Sequence, residues 1–311
     1  MAQVNMQLVK ELRDRTQAGL NDCRSALIEA EGDMDKAVEI ILKKGLAKSA
    51  KRAGAVASEG VVVTRVADNG LSGTIVEVNI QTDFAARNPE FLKFAESVAD
   101  VAAKADTGAD LGALPYPGSS ASVEDTRAAL VGKLGENITV RRWQRLAVDG
   151  PGLVHSYVHM GGKIGVLLAV KAGNEAVVKH DAFKKFVDDT AMQVAAMNPQ
   201  FLDASAVPED ELSKQRDIFA GQLKEEGKVP EDKWPRVIDG KVQKWLKEVC
   251  LIEQASVLET NKTVDQLRGE VAKAAGGDVK LVKYVRFECG EGIEKPAGDD
   301  FAEEVAKMAK G

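Results

Sequence analysis

The sequence has few aromatic residues, few cysteines and no long apolar run. Aromatic residues make up 5% of the 311 residues, so an aromatic side chain in a polar segment stands out. The three cysteines lie far apart and form no CxxC pair, which argues against a disulfide framework and against a zinc site. Because no apolar run is long enough to span a bilayer and no basic-then-apolar signal region opens the chain, the sequence predicts a soluble cytoplasmic protein without a membrane partner.

Charge and motif content argue against several function classes. The net charge of −6 and the pI near 5.4 disfavour direct nucleic-acid binding by broad phosphate neutralisation. There is no GxxxxGK[ST] loop and no GxGxxG at a strand-to-helix turn, so we do not expect the chain itself to bind a nucleotide. His155 and His159 have no evident third ligand and are interpreted as structural. With carboxylates scattered over polar helix faces, we expect neither an enzyme nor a cofactor.

Residues 1–45 have the periodicity of three short helices. Leu8, Val9 and Leu12 share one face of the first helix, and Cys23 lies on the buried stripe of the second. The third helix has the clearest apolar stripe and is predicted to end at Gly45. Such a small bundle resembles a ubiquitin-associated-type module and suits docking better than catalysis. We interpret residues 46–59 as a partly helical linker whose basic side chains form a solvated face, with contact to an acidic partner as the alternative.

Beyond Gly60 the pattern changes to strands and helices, which predicts an α+β core over residues 60–204 and 251–293. Asn69-Gly70 is a strong hairpin signal between two apolar strands. A second sheet is predicted from Ile138–Val140, Leu153–His159 and Ile164–Val170. The five residues Asn88 to Leu92 recur in similar form as Asn198 to Leu202, which suggests two related subdomains with antiparallel sheets.

Two further helical segments complete the predicted architecture. In residues 205–250, Ile238, Val242, Trp245 and Val249 follow the spacing of a coiled-coil seam. We expect a helical-hairpin insert there, which either protrudes, packs on its own core or pairs with a second copy as a homodimer. Residues 294–311 are predicted to form a C-terminal helical module.

The segment from Asn79 to Phe91 holds the most informative local pattern. It begins at the end of an apolar strand, and Asn88 followed by Pro89 is placed to start a helix. Between them, Asp83 and Phe84 stand side by side in a polar turn. A phenylalanine in such a turn either folds back onto its own core or is presented to a partner. The residues alone leave both alternatives open.

Three motifs in order along the chain resemble those of the elongation factor Ts family. The segment Leu12 to Leu27 is similar to the family's opening LRxxTGAGMMDCKKAL, with departures at Gln17 and at Leu20-Asn21. The segment Thr82 to Asn88 is similar to TDFVAKN, with Ala85 in place of the usual valine. Near the C-terminus stands the third motif, VRFECGEGIEK, over residues 285–295. The resemblance therefore covers nearly the full chain.

This resemblance implies a partner and a conformational reaction. The partner would be elongation factor Tu, in its GDP-bound and nucleotide-free forms, and the reaction would be guanine-nucleotide exchange. In the family, the N-terminal module docks on the GTPase domain of Tu, and the Asp-Phe turn disturbs the site of Mg²⁺. The core contacts another domain of Tu, and the C-terminal helix returns to the GTPase domain.

Carried onto this sequence, the resemblance implies two sets of site residues. The turn that disturbs the Mg²⁺ site would be Thr82, Asp83, Phe84 and Ala85, and the residues of N-terminal docking would be Leu12, Arg13, Thr16, Gly19, Asp22 and Cys23. The alternative function is a non-catalytic scaffold of the translation machinery, which would bind its partner without accelerating nucleotide release.

Overall fold

The structure is a computed structural model that describes residues 5–16 and 18–294. The described chain is α+β, as predicted, with helices and two antiparallel three-stranded sheets. The helices are α1 (Met6–Thr16), α2 (Leu20–Glu29), α3 (Met34–Arg52), α4 (Asp83–Ala86), α5 (Pro89–Lys104), α6 (Val123–Leu134), α7 (Glu175–Lys179), α8 (Asp181–Met197), α9 (Glu209–Glu226), α10 (Trp234–Val249) and α11 (Val264–Ala275). The strands are β1 (Glu59–Val66), β2 (Ser72–Ile80), β3 (Ile138–Ala147), β4 (Gly152–His159), β5 (Ile164–Ala172) and β6 (Val279–Glu288).

Helices α1–α3 form a small bundle, which we call the N-terminal module, around a core that includes Leu12, Leu27 and Ile41. The prediction that Gly45 ends the third helix is wrong, because α3 continues to Arg52. A Cβ atom at Gly45 would lie 3.4 Å from the backbone of Ala129 in α6. Gly45 therefore serves close helix packing rather than helix termination. The long α3 fastens the N-terminal module to the core.

The first sheet has the strand order β1-β2-β3. Strands β1 and β2 form the hairpin predicted around Asn69-Gly70. The assignment of Ile138–Val140 to the second sheet is wrong, since β3 pairs with β2, where Ile138 lies opposite Ile80. Helices α5 and α6 intervene between β2 and β3 and return the chain to the same sheet. Periodicity identified a strand at this position but carried no information about its neighbour.

The second sheet has the strand order β4-β5-β6 and repeats the topology of the first. Each sheet has two consecutive strands, then helices, then a third strand beside the second. Corresponding arginines join the last helix to the third strand: Arg127 Nη1 donates to the carbonyl of Ile138 at 2.6 Å, and Arg268 Nη1 to that of Val279 at 2.9 Å. The two subdomains are therefore alike in detail as well as in strand order.

The recurring Asn-Pro segment does not mark equivalent positions in these subdomains. Asn88 caps the start of α5, as predicted, whereas Asn198 ends α8 with a φ of 44°. The similarity of the two segments is therefore not structural.

Helices α9 and α10 pack against each other as a hairpin, inserted between α8 and α11. Leu223 of α9 and Val242 of α10 are buried, while Ile218 is exposed. Pairing of two copies through this hairpin stays a prediction. The C-terminal module predicted for residues 294–311 lies, apart from its first residue, outside the described part of the chain. No helix among the described residues is both long enough and apolar enough to cross a membrane.

Candidate partner-binding site

The predicted Asp-Phe turn is the one-turn helix α4, which closely follows β2. Thr82 caps this helix, because its hydroxyl accepts a hydrogen bond from the N–H of Ala85 at 3.2 Å. Asp83 occupies the first helical position, and its carboxylate pairs with Arg87 at 3.2 Å. The helix cap is therefore Thr82, and the Asp83 carboxylate is left to its ion pair with Arg87. An exposed pair such as Asp83–Arg87 contributes little stability by itself.

Phe84 projects from α4 into solvent. Its relative exposure is 82%, the highest among the large hydrophobic residues that the structure describes. The opposite side of α4 is anchored, since Ala86 is buried and Ala85 packs against the core of the first subdomain. Of the two alternatives left open by the sequence, folding back onto the core is wrong. The ring is held outside on a short helix whose other face is fixed.

A loop that precedes β3 holds the start of α4. The carboxylate of Glu136 accepts hydrogen bonds from the N–H of Thr82 at 3.0 Å and from its hydroxyl at 2.8 Å. The next residue, Asn137, donates its N–H to Gln81 Oε1 at 2.6 Å. The sequence predicted no role for Glu136 or Asn137. Their position between the helix-ending Gly135 and a strand was a visible signal of a loop, but nothing in it pointed to a residue 54 positions earlier.

Three of the N-terminal docking residues are buried in the described structure. Leu12 and Cys23 are fully buried and Thr16 is 5% exposed. The hydroxyl of Thr16 donates to the carbonyl of Leu12 at 2.8 Å and lies 3.9 Å from Cys23 Sγ. Burial raises the pKa of the Cys23 thiol, which keeps it protonated and unreactive at neutral pH. These three side chains therefore shape the module from within, as the buried stripe predicted for Cys23. Their part in docking stays a prediction.

The other three docking residues reach the surface. Arg13 is exposed, and Gly19 and Asp22 are half-buried. Arg13 borders a cavity of about 360 Å³ between the N-terminal module and helices α5 and α6. Asp22 pairs with Lys48 of α3 at 3.3 Å. The surface part of the predicted docking set is therefore smaller than the sequence suggested.

Several contacts fasten the N-terminal module to the subdomain that carries Phe84. Ser119 donates its hydroxyl to the carbonyl of Arg15 at 2.9 Å. Arg127 of α6 donates to the hydroxyl of Ser49 in α3 at 3.0 Å. The two sets of predicted site residues thus lie on directly connected parts of the structure.

Comparison with known proteins places these features in one family. The family model described as "Elongation factor TS" matches residues 81–291, so its match begins just before the helix that carries Phe84. The protein "Elongation factor Ts" of a Nitratiruptor species is 45% identical over 97% of this chain and 98% of its own length. That of Clostridium botulinum (strain Eklund 17B / Type B) is 44% identical over 98% of this chain and 99% of its own. The chain belongs to the elongation factor Ts family. It is therefore a translation elongation factor, with a role in protein biosynthesis.

The third motif contacts a buried carboxylate of the first sheet. Glu77 of β2 is fully buried, and it accepts hydrogen bonds from Arg141, from Arg142 and from the N–H of Gly290, the last at 2.7 Å. Burial alone would raise the pKa of Glu77, but the hydrogen bonds from Gly290, Asn79 and the two arginines outweigh it and lower that pKa. The part of the motif that follows β6 therefore fastens the second subdomain to the first. The sequence did not predict this contact, because nothing local distinguishes Glu77 from a solvent-exposed polar residue of a strand.

The two histidines considered as metal ligands have other partners. His155 Nε2 lies 3.0 Å from the carboxylate of Asp188. His159 Nδ1 lies 3.1 Å from the hydroxyl of Tyr157. Across residues 5–16 and 18–294, no group of three or more histidine, cysteine or acidic side chains is arranged to hold a metal ion.

Proposed function

We propose that this chain is a guanine-nucleotide exchange factor for elongation factor Tu in the cytoplasm. It would bind GDP-bound Tu, promote GDP release by disturbing the Mg²⁺ and phosphate site, and remain on nucleotide-free Tu until GTP binds. The observation that carries this proposal is the presentation of Phe84, 82% exposed on a helix whose other side is anchored in the core. The reaction makes and breaks no covalent bond, so the protein acts as a factor and not as an enzyme in the covalent sense.

The coordination chemistry of Mg²⁺ makes its site sensitive to an inserted side chain. We call the Phe84 ring, in this proposed role, the wedge. Mg²⁺ requires near-octahedral coordination and bridges phosphate oxygens, so a small backbone displacement weakens its binding severely. Burial of one phenylalanine ring contributes about 1.5–3 kcal/mol. Weakening nucleotide affinity by about ten-thousandfold requires roughly 5.5 kcal/mol. Phe84 therefore supplies part of the free energy, and other contacts with Tu supply the remainder.

The surface residues of the N-terminal module are proposed as a source of these further contacts. Arg13 and Asp22 offer charged groups at the surface, and Gly19 allows a partner backbone to approach closely. Leu12, Thr16 and Cys23 support this surface from inside the module. In the turn, Thr82 and Ala85 anchor α4, and Asp83 can exchange its exposed ion pair with Arg87 for a contact with Tu.

Thermodynamic linkage explains how the factor leaves Tu after exchange. If the factor lowers the affinity of Tu for a nucleotide, that nucleotide must lower the affinity of Tu for the factor by the same ratio. Binding of GTP therefore releases the factor, and Tu leaves in its GTP-bound form.

The test is stopped-flow release of a fluorescent GDP analogue from elongation factor Tu, with and without this protein. Saturable acceleration by substoichiometric amounts supports exchange. Binding to Tu without acceleration would favour the scaffold function instead. Absence of binding would show that the proposed partner is wrong.

A further inference from the structure

We propose that Glu136 and Asn137 are positioning residues that hold the Phe84 wedge in register with the rest of the docking surface. We call these two residues and their contacts to Gln81 and Thr82 the loop clamp. This inference rests on the proposed exchange function. It adds a role for two residues that lie outside the Asp-Phe turn.

The contacts of Glu136 fix the start of α4 in two directions. Its two carboxylate oxygens separately accept the N–H and the hydroxyl of Thr82, at 3.0 and 2.8 Å. The Thr82 hydroxyl, having donated to Glu136, still accepts from the N–H of Ala85 at 3.2 Å. Hydrogen bonds to an ionised group are stronger than neutral ones. The carboxylate thereby holds Thr82, and through the Thr82 hydroxyl it is linked to the backbone N–H that follows Phe84.

Asn137 extends the clamp to the segment that follows the N-terminal module. Its side-chain amide donates to the carbonyl of Ala55, three residues beyond the end of α3, at 2.8 Å, while its backbone N–H holds Gln81. Asn137 is 7% exposed, so these contacts are shielded from water. Arg127, which binds Ser49 of α3, also donates to the carbonyl of the adjacent Ile138. The loop therefore contacts both the start of α4 and the segment that leads from the docking module.

The second subdomain offers an internal comparison. The residue placed like Glu136 is Gly277, where a Cβ atom would lie 3.1 Å from the side-chain nitrogen of Asn174. Asn174 caps α7, the short helix placed like α4. In place of a side-chain contact, the N–H of Gly173 donates directly to the carbonyl of Asp278 at 2.8 Å. The carboxylate contact is thus found in the first subdomain, whose short helix α4 carries the exposed ring of Phe84. In the second subdomain, α7 has Ala176 at the position of Phe84.

A held wedge and a loose wedge differ in how binding energy is used. A ring on a flexible turn can adapt to the resting structure of Tu and then contributes to binding without distorting the nucleotide site. A ring held in place forces the strain onto the partner. Loss of the clamp should therefore lower the maximum rate of GDP release more than it weakens binding.

The experiment compares Glu136→Ala with Glu136→Gln in the full-length chain. The first variant removes both acceptors. The second keeps an oxygen for the Thr82 N–H and offers an amide N–H to the Thr82 hydroxyl. As a matched control, Glu270→Ala removes an exposed carboxylate that pairs with Lys262 at 2.7 Å in the other subdomain. Two readouts are taken: GDP release from Tu as a function of factor concentration, and amide hydrogen exchange of residues 82–87 in the isolated factor.

We expect Glu136→Ala to lower the maximum release rate about tenfold, equivalent to about 1.4 kcal/mol, with the half-saturating concentration within about twofold of the parent. Amide exchange should accelerate in residues 82–87, Glu136→Gln should recover most of the rate, and Glu270→Ala should match the parent. A full maximum rate in Glu136→Ala, or a loss confined to the half-saturating concentration, would overturn the positioning role while leaving the exchange function intact. If the parent itself gave no acceleration, the exchange proposal would fail, and unchanged amide exchange in Glu136→Ala would separately refute the clamp.

Discussion

Replacing Phe84 by alanine separates the function of the ring from its contribution to folding. Because the ring is 82% exposed in the isolated chain, its removal takes little apolar area out of the core. Alanine is also a better helix former than phenylalanine. The unfolding free energy of Phe84→Ala should therefore stay within about 0.5 kcal/mol of the parent, as for other exposed substitutions.

The functional loss should be much larger than the change in stability. If the ring becomes fully buried against Tu, its removal costs about 1.5–3 kcal/mol. When that energy acts on nucleotide release, the rate falls by about 10- to 150-fold, since about 1.36 kcal/mol corresponds to a factor of ten. A residual acceleration should remain, because Arg13, Gly19 and Asp22 are unchanged.

The assay is GDP release from Tu at saturating factor, together with thermal unfolding followed by circular dichroism. Leu258→Ala serves as the matched control, because Leu258 is a large hydrophobic residue 52% exposed in the second subdomain. That control should leave both readouts unchanged. If Phe84→Ala released GDP at the parental rate, or if its unfolding temperature fell in proportion to its activity, the wedge assignment would be refuted.

Three further predictions concern stability and reactivity. Glu77→Ala should destabilise the chain by about 1 to 3 kcal/mol in chemical unfolding, because it leaves the Asn79 amide, the Gly290 N–H and two partly exposed arginines without their acceptor. The folded pKa of Glu77 lies below the ordinary 4.5, so the stability that its ionised form contributes is present above that pH and is lost as the pH falls below it. The unfolding temperature of Glu77→Gln should therefore depend less on pH in the acid range than that of the parent. An identical acid dependence in the two proteins would contradict this. Gly45→Leu should weaken the packing of α3 on α6 by about 1–3 kcal/mol, which faster amide hydrogen exchange in both helices would report. Unchanged exchange would show that the close approach of the two helices is not needed. Burial raises the pKa of Cys250 and of Cys289 to about 11, so both thiols should react with iodoacetamide at neutral pH far more slowly in the folded protein than after unfolding, and equal rates would contradict the burial.

Local patterns allowed much of the secondary structure to be predicted. Asn88 with Pro89 marked the start of α5, and Asn69-Gly70 marked the hairpin, because each signal depends on backbone geometry within a few residues. The α+β class followed from the change of periodicity near Gly60. The motif that contains Phe84 also stood out in the sequence as a candidate site.

Two structural predictions were wrong: the end of the third helix and the sheet to which one strand belongs. Gly45 satisfied the rule for a helix end, yet it permits two helices to approach closely. Ile138–Val140 was correctly predicted as a strand but assigned to the wrong sheet. In both cases the deciding contact lies far away in the chain, and local propensity does not encode it.

The sequence by itself determined the elements, the family resemblance and the residues of the Asp-Phe motif, because these depend on local chemistry and on order along the chain. Only the tertiary structure decided that Phe84 points outward, that α3 continues past Gly45 to pack on α6, and that Glu136 holds Thr82. The exposure of a side chain and the identity of its distant neighbours depend on how sheets and helices pack. Packing depends on contacts between residues that are distant in the sequence, so a short segment does not determine it.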